Sequence, residues 1–245
     1  MASKSPRIAL HLLVGLTGLV LAAQLLLTIW PAVGVYVNTI TFVILLAFAV
    51  RRPALRSFTL LLAVIPVVAW ISLIIATDIP RLFATYGILL ALGITFKRQV
   101  SFRRDILPHV PHISPRHYLI ALGVGVILGG LSLAIPHTHP ITTLPLVVAL
   151  PACVVFAFAE ELYVRGLIQQ QVSQYVSANF AILLAAAAGL CLSAGQGSVW
   201  LILLALISHG ILSVLYRFIP RLALTTLANS TMKILWVVAA SFTIH

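Results

Sequence analysis

Glu160 and Glu161 are neighbours in a chain of 245 residues that carries only 4 acidic side chains. They sit in Phe156-Ala-Phe-Ala-Glu-Glu-Leu-Tyr-Val-Arg165-Gly166, inside a long apolar run. A carboxylate in such a place can act as a base toward water, or it can be held by a cation as part of the structure. Ionisable groups in a membrane helix cost about 2.5–3.5 kcal/mol each on insertion scales, so each needs a reason to be there. Glu161 and Arg165 stand at i and i+4, in the order that favours an ion pair on one helix face. Glu160 is turned by about 100° from Glu161 and needs a different partner. Lys233 is the other charge within an apolar run. Counting about 1.5 Å per residue puts Glu160 about 14 Å and Lys233 about 18 Å from the cytoplasmic ends of their helices. Two carboxylates, one guanidinium and one ammonium sum to zero, so a Glu160–Lys233 contact across a bundle is expected.

Other groups carry weaker chemistry. His209 follows Ser208 midway along an apolar segment, where it either faces the same cavity or packs. His109, His112 and His117 lie among prolines that break ligand spacing, and His137 and His139 flank one threonine. Ser193 and Ser208 show no nucleophile–base–acid order. Cys153 and Cys191 lie singly in apolar runs, without a CxxC pair or a disulfide framework. No cofactor or metal is expected. Gly125-xxx-Gly129 reads as a close helix–helix contact, because no strand precedes it to make a dinucleotide loop.

The elements that must position these groups are membrane helices. The chain is 62% hydrophobic and 8% charged, against about 45–50% and about 25% in soluble domains. This excludes a water-soluble globule and a disordered tail. Nine apolar segments are expected, near 8–29, 33–50, 58–77, 82–96, 118–135, 144–169, 178–194, 199–218 and 222–243; the second, fourth and seventh are short. The fold class is therefore all-α, a polytopic transmembrane bundle of eight or nine helices. The net charge of +11 would suggest nucleic acid in a soluble protein. Here the basic residues sit between apolar runs, so no nucleic-acid partner is expected. With the N-terminus cytoplasmic, Lys4, Arg7, Arg51, Arg52, Arg56, Lys97, Arg98, Arg103, Arg104, Arg116, Arg217 and Arg221 all fall inside, and Arg81 alone falls outside. The first segment exceeds the usual length of a signal-peptide core and reads as a retained helix. The connection 97–117 is basic and proline-rich, so contact with anionic lipid is expected there, beside the bilayer itself as a partner.

The run Glu160-Glu161-Leu-Tyr-Val-Arg165 resembles the EExxxR motif of the CAAX-protease and bacteriocin-processing (CPBP) family of intramembrane endopeptidases. Its place in an apolar helix with three more helices after it strengthens the match, which covers about residues 142–243. The resemblance divides the chain into N-terminal helices with the basic loop, 1–117, and a CPBP-like core, 118–245. It implies that the first glutamate and two histidines activate water for peptide cleavage in membrane-anchored substrates. At the corresponding positions this chain has Leu192-Ser-Ala-Gly-Gln196 and Asn229-Ser-Thr-Met-Lys233. Both expected histidines are amides, and the expected Asn or Asp is a lysine. Amides hold water by hydrogen bonds, but they do not take its proton near neutral pH and are poor transition-metal ligands. A lysine beside Glu160 stabilises the carboxylate as an anion and weakens it as a base.

The candidate site is thus Glu160, Glu161 and Arg165 with Gln196, Asn229 and Lys233, and His209 as a further candidate. The leading expectation is a catalytically impaired relative in a bacterial plasma membrane. Its partner would be another membrane protein or a membrane-anchored peptide. The alternatives are an active endopeptidase using Glu160, and a proton- or ion-coupled transporter.

Overall fold

The computed structural model describes residues 6–75, 77–99, 113–134, 144–193 and 199–243. The helices are α1 (Pro6–Ile29), α2 (Pro31–Arg51), α3 (Arg56–Ile74), α4 (Asp78–Gln99), α5 (Pro115–Leu133), α6 (Leu146–Glu161), α7 (Gln170–Ser173), α8 (Ala178–Ser193), α9 (Val199–Phe218) and α10 (Leu222–Thr243). A 3₁₀ turn, Pro53–Leu55, joins α2 to α3, and a π-helical stretch, Leu162–Gln169, joins α6 to α7. No strand occurs among the described residues. Eight of the helical segments there are long and apolar enough to cross a bilayer. The protein is an all-α integral membrane protein.

Local chemistry explains where the helices begin. Pro31, Pro53 and Pro115 occupy first-turn positions, where the missing N–H costs nothing. Before α5, the Ser114 N–H donates to His117 Nδ1 at 3.1 Å and the His117 N–H donates back to the Ser114 side chain. His117 is therefore part of a capping box. His109, His112, His137 and His139 lie outside the described residues, as does most of the basic 97–117 connection.

Three segment lengths differ from expectation or refine it. α2 and α4 were expected to be short, yet they have 21 and 22 residues. Backbone hydrogen bonding continues past the apolar run, so Asp78, Arg81, Lys97 and Arg98 are carried on the ends of α4. α8 remains short at 16 residues. Its small residues Ala181, Ala185, Ala186 and Ala188 are buried, consistent with packing inside protein.

The chain forms two compact units that interleave along the sequence. The first unit comprises residues 1–77 and 167–213. Its α1–α2 hairpin closes at Gly34, where a Cβ would collide with the backbone of Leu26 and Leu27. That approach lets Gln24 Nε2 donate to Asn38 Oδ1 at 2.7 Å, while Asn38 Nδ2 donates to the Ala23 and Gly34 carbonyls at 3.1 and 3.0 Å. Gly34→Val should therefore destabilise the purified protein by about 1–3 kcal/mol through overpacking. The check is its thermal midpoint beside that of Gly87→Val, since a Cβ at Gly87 meets nothing within 4 Å.

The second unit comprises residues 78–166 and 214–245. Here the Gly125-xxx-Gly129 expectation is met by α5 on α10. A Cβ at Gly125 would lie 2.5 Å from the Ala228 carbonyl oxygen and 2.6 Å from Thr231 Cβ, and one at Gly129 would lie 2.8 Å from Leu235 Cδ1. One face of α10 is thereby committed to α5. Trp236 and Val237 pack with Ala149, Ala152, Cys153 and Phe156 of α6 and Leu82 of α4. This rotation of α10 turns Asn229 and Lys233 toward the α6 carboxylates.

Candidate functional site

The site forms within the second unit, at the last residues of α6 and one face of α10. Glu160 is 6% exposed, and Glu161 and Arg165 are 0% exposed. Directly after Glu161 the backbone leaves α-helical bonding for eight π-helical residues. π turns are rare, usually single, and frequent at functional sites. The expectation of one α-helical period through 144–169 is corrected here: the α-helical period ends at Glu161. Arg165 still returns beside its neighbour, with Nη1 3.2 Å from Glu161 Oε1. The expected i, i+4 pair is present across this change of helix type.

Glu161 has a second partner. Asn229 Nδ2 donates to its Oε1 at 2.9 Å and approaches Glu160 Oε2 at 3.5 Å. Glu160 takes its own cation: Lys233 Nζ lies 3.0 Å from Oε2, with side-chain exposures of 22% for the lysine and 8% for the glutamate. The contact expected across the bundle from charge arithmetic is thus formed. Two anions and two cations close a neutral cluster, and the Asn229 amide bridges its two halves. Burying an ion without a partner costs several kcal/mol, so neutral closure is what makes the cluster tolerable in hydrocarbon.

Aromatic rings finish the wall. Tyr86 stacks on Phe156 at 4.3 Å with an interplanar angle of 12°, and Phe83 meets Phe156 edge-on at 5.3 Å. The Lys233 ammonium lies 5.9 Å from the Tyr86 ring centroid, within reach of a cation–π attraction. Sequence reasoning missed Tyr86. A tyrosine in an apolar segment reads as core, and only the packing of α4 on α6 brings it under the ammonium. Leu162, the first π residue, is held by α4, since a Cβ at Gly93 would fall 2.5 Å from its Cδ2.

The other candidates separate as follows. Gln196 lies outside the described residues. His209 belongs to the first unit and is 3% exposed. Its ring lies against the backbone of Gly189, where a Cβ would come 2.5 Å from Cγ of the imidazole. Cys153 and Cys191 are buried free thiols.

Among the described residues, the donor set of the cluster does not suit a divalent metal. The ionic oxygens at the site belong to Glu160 and Glu161, both already hold cations, and Asn229 turns its nitrogen rather than its oxygen toward them. No group of three His, Cys, Asp or Glu forms among the described residues. Two buried acceptors, Glu161 Oε2 and Asn229 Oδ1, have no hydrogen-bond partner and are placed to receive a donor.

A family model described as Type II CAAX prenyl endopeptidase Rce1-like matches residues 142–244. This match is consistent with the CPBP family, and the matched stretch holds every residue of the charge cluster. No curated protein and no solved structure matches the chain.

Proposed function

We propose that this CPBP-type membrane protein keeps its family's bundle and glutamate pair but does not hydrolyse peptides, and that it works by binding. The observation that carries this reading is the Lys233 ammonium 3.0 Å from Glu160 Oε2. A carboxylate that would take a proton from water needs a free lone pair facing that water. Here an ammonium and an amide take up Glu160 Oε2, and Asn229 supplies an amide where an imidazole would shuttle protons. The reading gives the protein the role of a subunit or scaffold for another membrane protein or a membrane-anchored peptide in a bacterial plasma membrane. The basic residues support a cytoplasmic N-terminus.

The test is cleavage of membrane-anchored CAAX-type peptides by the purified protein in lipid discs. Turnover is expected to equal that of Glu160→Gln and of empty discs. Turnover that disappears in Glu160→Gln would establish the active endopeptidase instead, and Glu160-dependent proton flux in sealed vesicles would establish a transporter.

A further inference from the structure

The first unit holds a cluster of cations that no carboxylate balances among the described residues. Arg51, Arg52 and Arg56 fall within six residues, at the turn from α2 to α3, and all three are exposed. Residues 1–77 and 167–213 contain no aspartate or glutamate. Of the 4 acidic residues in the chain, Glu160 and Glu161 are held by Lys233 and Arg165. Asp78 is the first residue of α4 and belongs to the second unit. Asp105 directly follows Arg103 and Arg104 and lies outside the described residues. Among the described residues none of the three guanidiniums forms an ion pair. The C-terminal dipole of α2 supplies a partial charge of only about half a unit, too little for three cations.

The turn is also built to hold its shape. Pro53 starts the 3₁₀ turn, the Arg52 N–H donates to the Phe48 carbonyl at 2.9 Å, and the Leu55 N–H donates to the Arg52 carbonyl at 2.9 Å. Leu55 is 6% exposed and anchors the turn inward. From the α7 side, the Tyr175 hydroxyl donates to the Ala54 carbonyl at 2.5 Å and receives Gln171 Nε2 at 3.3 Å. The three guanidinium forks are thus carried on a pinned backbone. Their level in the bilayer follows from length. The 21 residues of α2, at about 1.5 Å each, extend about 32 Å, which matches a hydrocarbon core of about 30 Å. A helix of that length spanning the core would bring its C-terminal arginines to the level of the headgroup phosphates.

We propose that the α2–α3 turn is a binding site for anionic phospholipid, with Arg51, Arg52 and Arg56 gripping phosphate oxygens. Guanidinium offers paired N–H donors that fit a phosphate in two-point contact, and the headgroup level supplies phosphates. Each basic residue near an anionic leaflet adds roughly a fivefold preference, so three give at least about a tenfold preference after screening.

Arginine footprinting of the intact protein tests this. Lipid discs of phosphatidylcholine alone and of phosphatidylcholine with phosphatidylglycerol are exposed to an arginine-selective dicarbonyl, and modification is read residue by residue. Arg51, Arg52 and Arg56 should be modified at least about fivefold more slowly in the anionic discs. Soluble phosphate or polyglutamate added to neutral discs should not reproduce the protection. Equal modification in both discs, or equal protection by either soluble anion, overturns the proposal. A second arm titrates phosphatidylglycerol into detergent-purified protein. R51Q/R52Q/R56Q should lose at least about tenfold in affinity, and a folded variant with unchanged affinity overturns the proposal. If that variant does not fold, the wild-type footprint alone decides.

Discussion

Arg165→Met is expected to lower the stability of the purified protein by about 3–5 kcal/mol, enough to abolish folding in a marginal bundle. Glu161 and Arg165 are both 0% exposed, so removing the guanidinium leaves a carboxylate in hydrocarbon with only the Asn229 amide at 2.9 Å to compensate. The damage comes from the stranded partner rather than from the lost attraction. Glu161→Gln in the same chain should therefore recover most of the loss. Thermal unfolding of the wild type, both single variants and the double variant checks this. A double variant no better than Arg165→Met would mean that packing of the long side chain dominates.

Lys233→Met should cost about 2–3 kcal/mol, less than Arg165→Met, since the carboxylate it strands, Glu160, is 8% exposed whereas Glu161 is 0% exposed. The direction is the same: Glu160 loses its cation and keeps the longer 3.5 Å contact to Asn229. Methionine keeps an unbranched side chain of similar length, so the loss reads charge rather than volume. Because the 22% exposure is on the lysine and the glutamate is 8% exposed, Glu160→Gln should be milder than Lys233→Met. A freed lysine can reach toward the headgroups, whereas a freed glutamate cannot. The measurement is the midpoint of thermal unfolding in one detergent for both variants.

The parts of this site that were legible in the sequence are those governed by charge. Glu160 and Lys233 could be paired on paper because intramembrane charges are rare, their depths agreed, and the sum was zero. Glu161 and Arg165 were readable from i, i+4 spacing alone. The bond from Asn229 to Glu161 was not legible. It depends on the rotation of α10, which is set by the close approach of Ala228 and Thr231 to Gly125. The π stretch was hidden because Leu162–Gln169 has the composition of an ordinary amphipathic turn, and composition does not report which carbonyl an N–H chooses. The lengths of α2 and α4 were underestimated because hydropathy marks the hydrocarbon, while helices run on through the interface. The interleaving of the two units was likewise invisible. Residues 167–213 join the N-terminal helices through packing that leaves no pattern in the linear chain.

The claim on which the functional reading rests is that Lys233 neutralises Glu160 by direct contact. A double-mutant cycle on Glu160→Gln, Lys233→Met and their combination, read as unfolding free energy in one detergent, tests it most directly. The account predicts that the double variant is more stable than the sum of the singles implies, with a coupling of about 1–3 kcal/mol. Additive losses, within about 0.5 kcal/mol, would mean that the two charges do not meet, and the carboxylate would then be open to water.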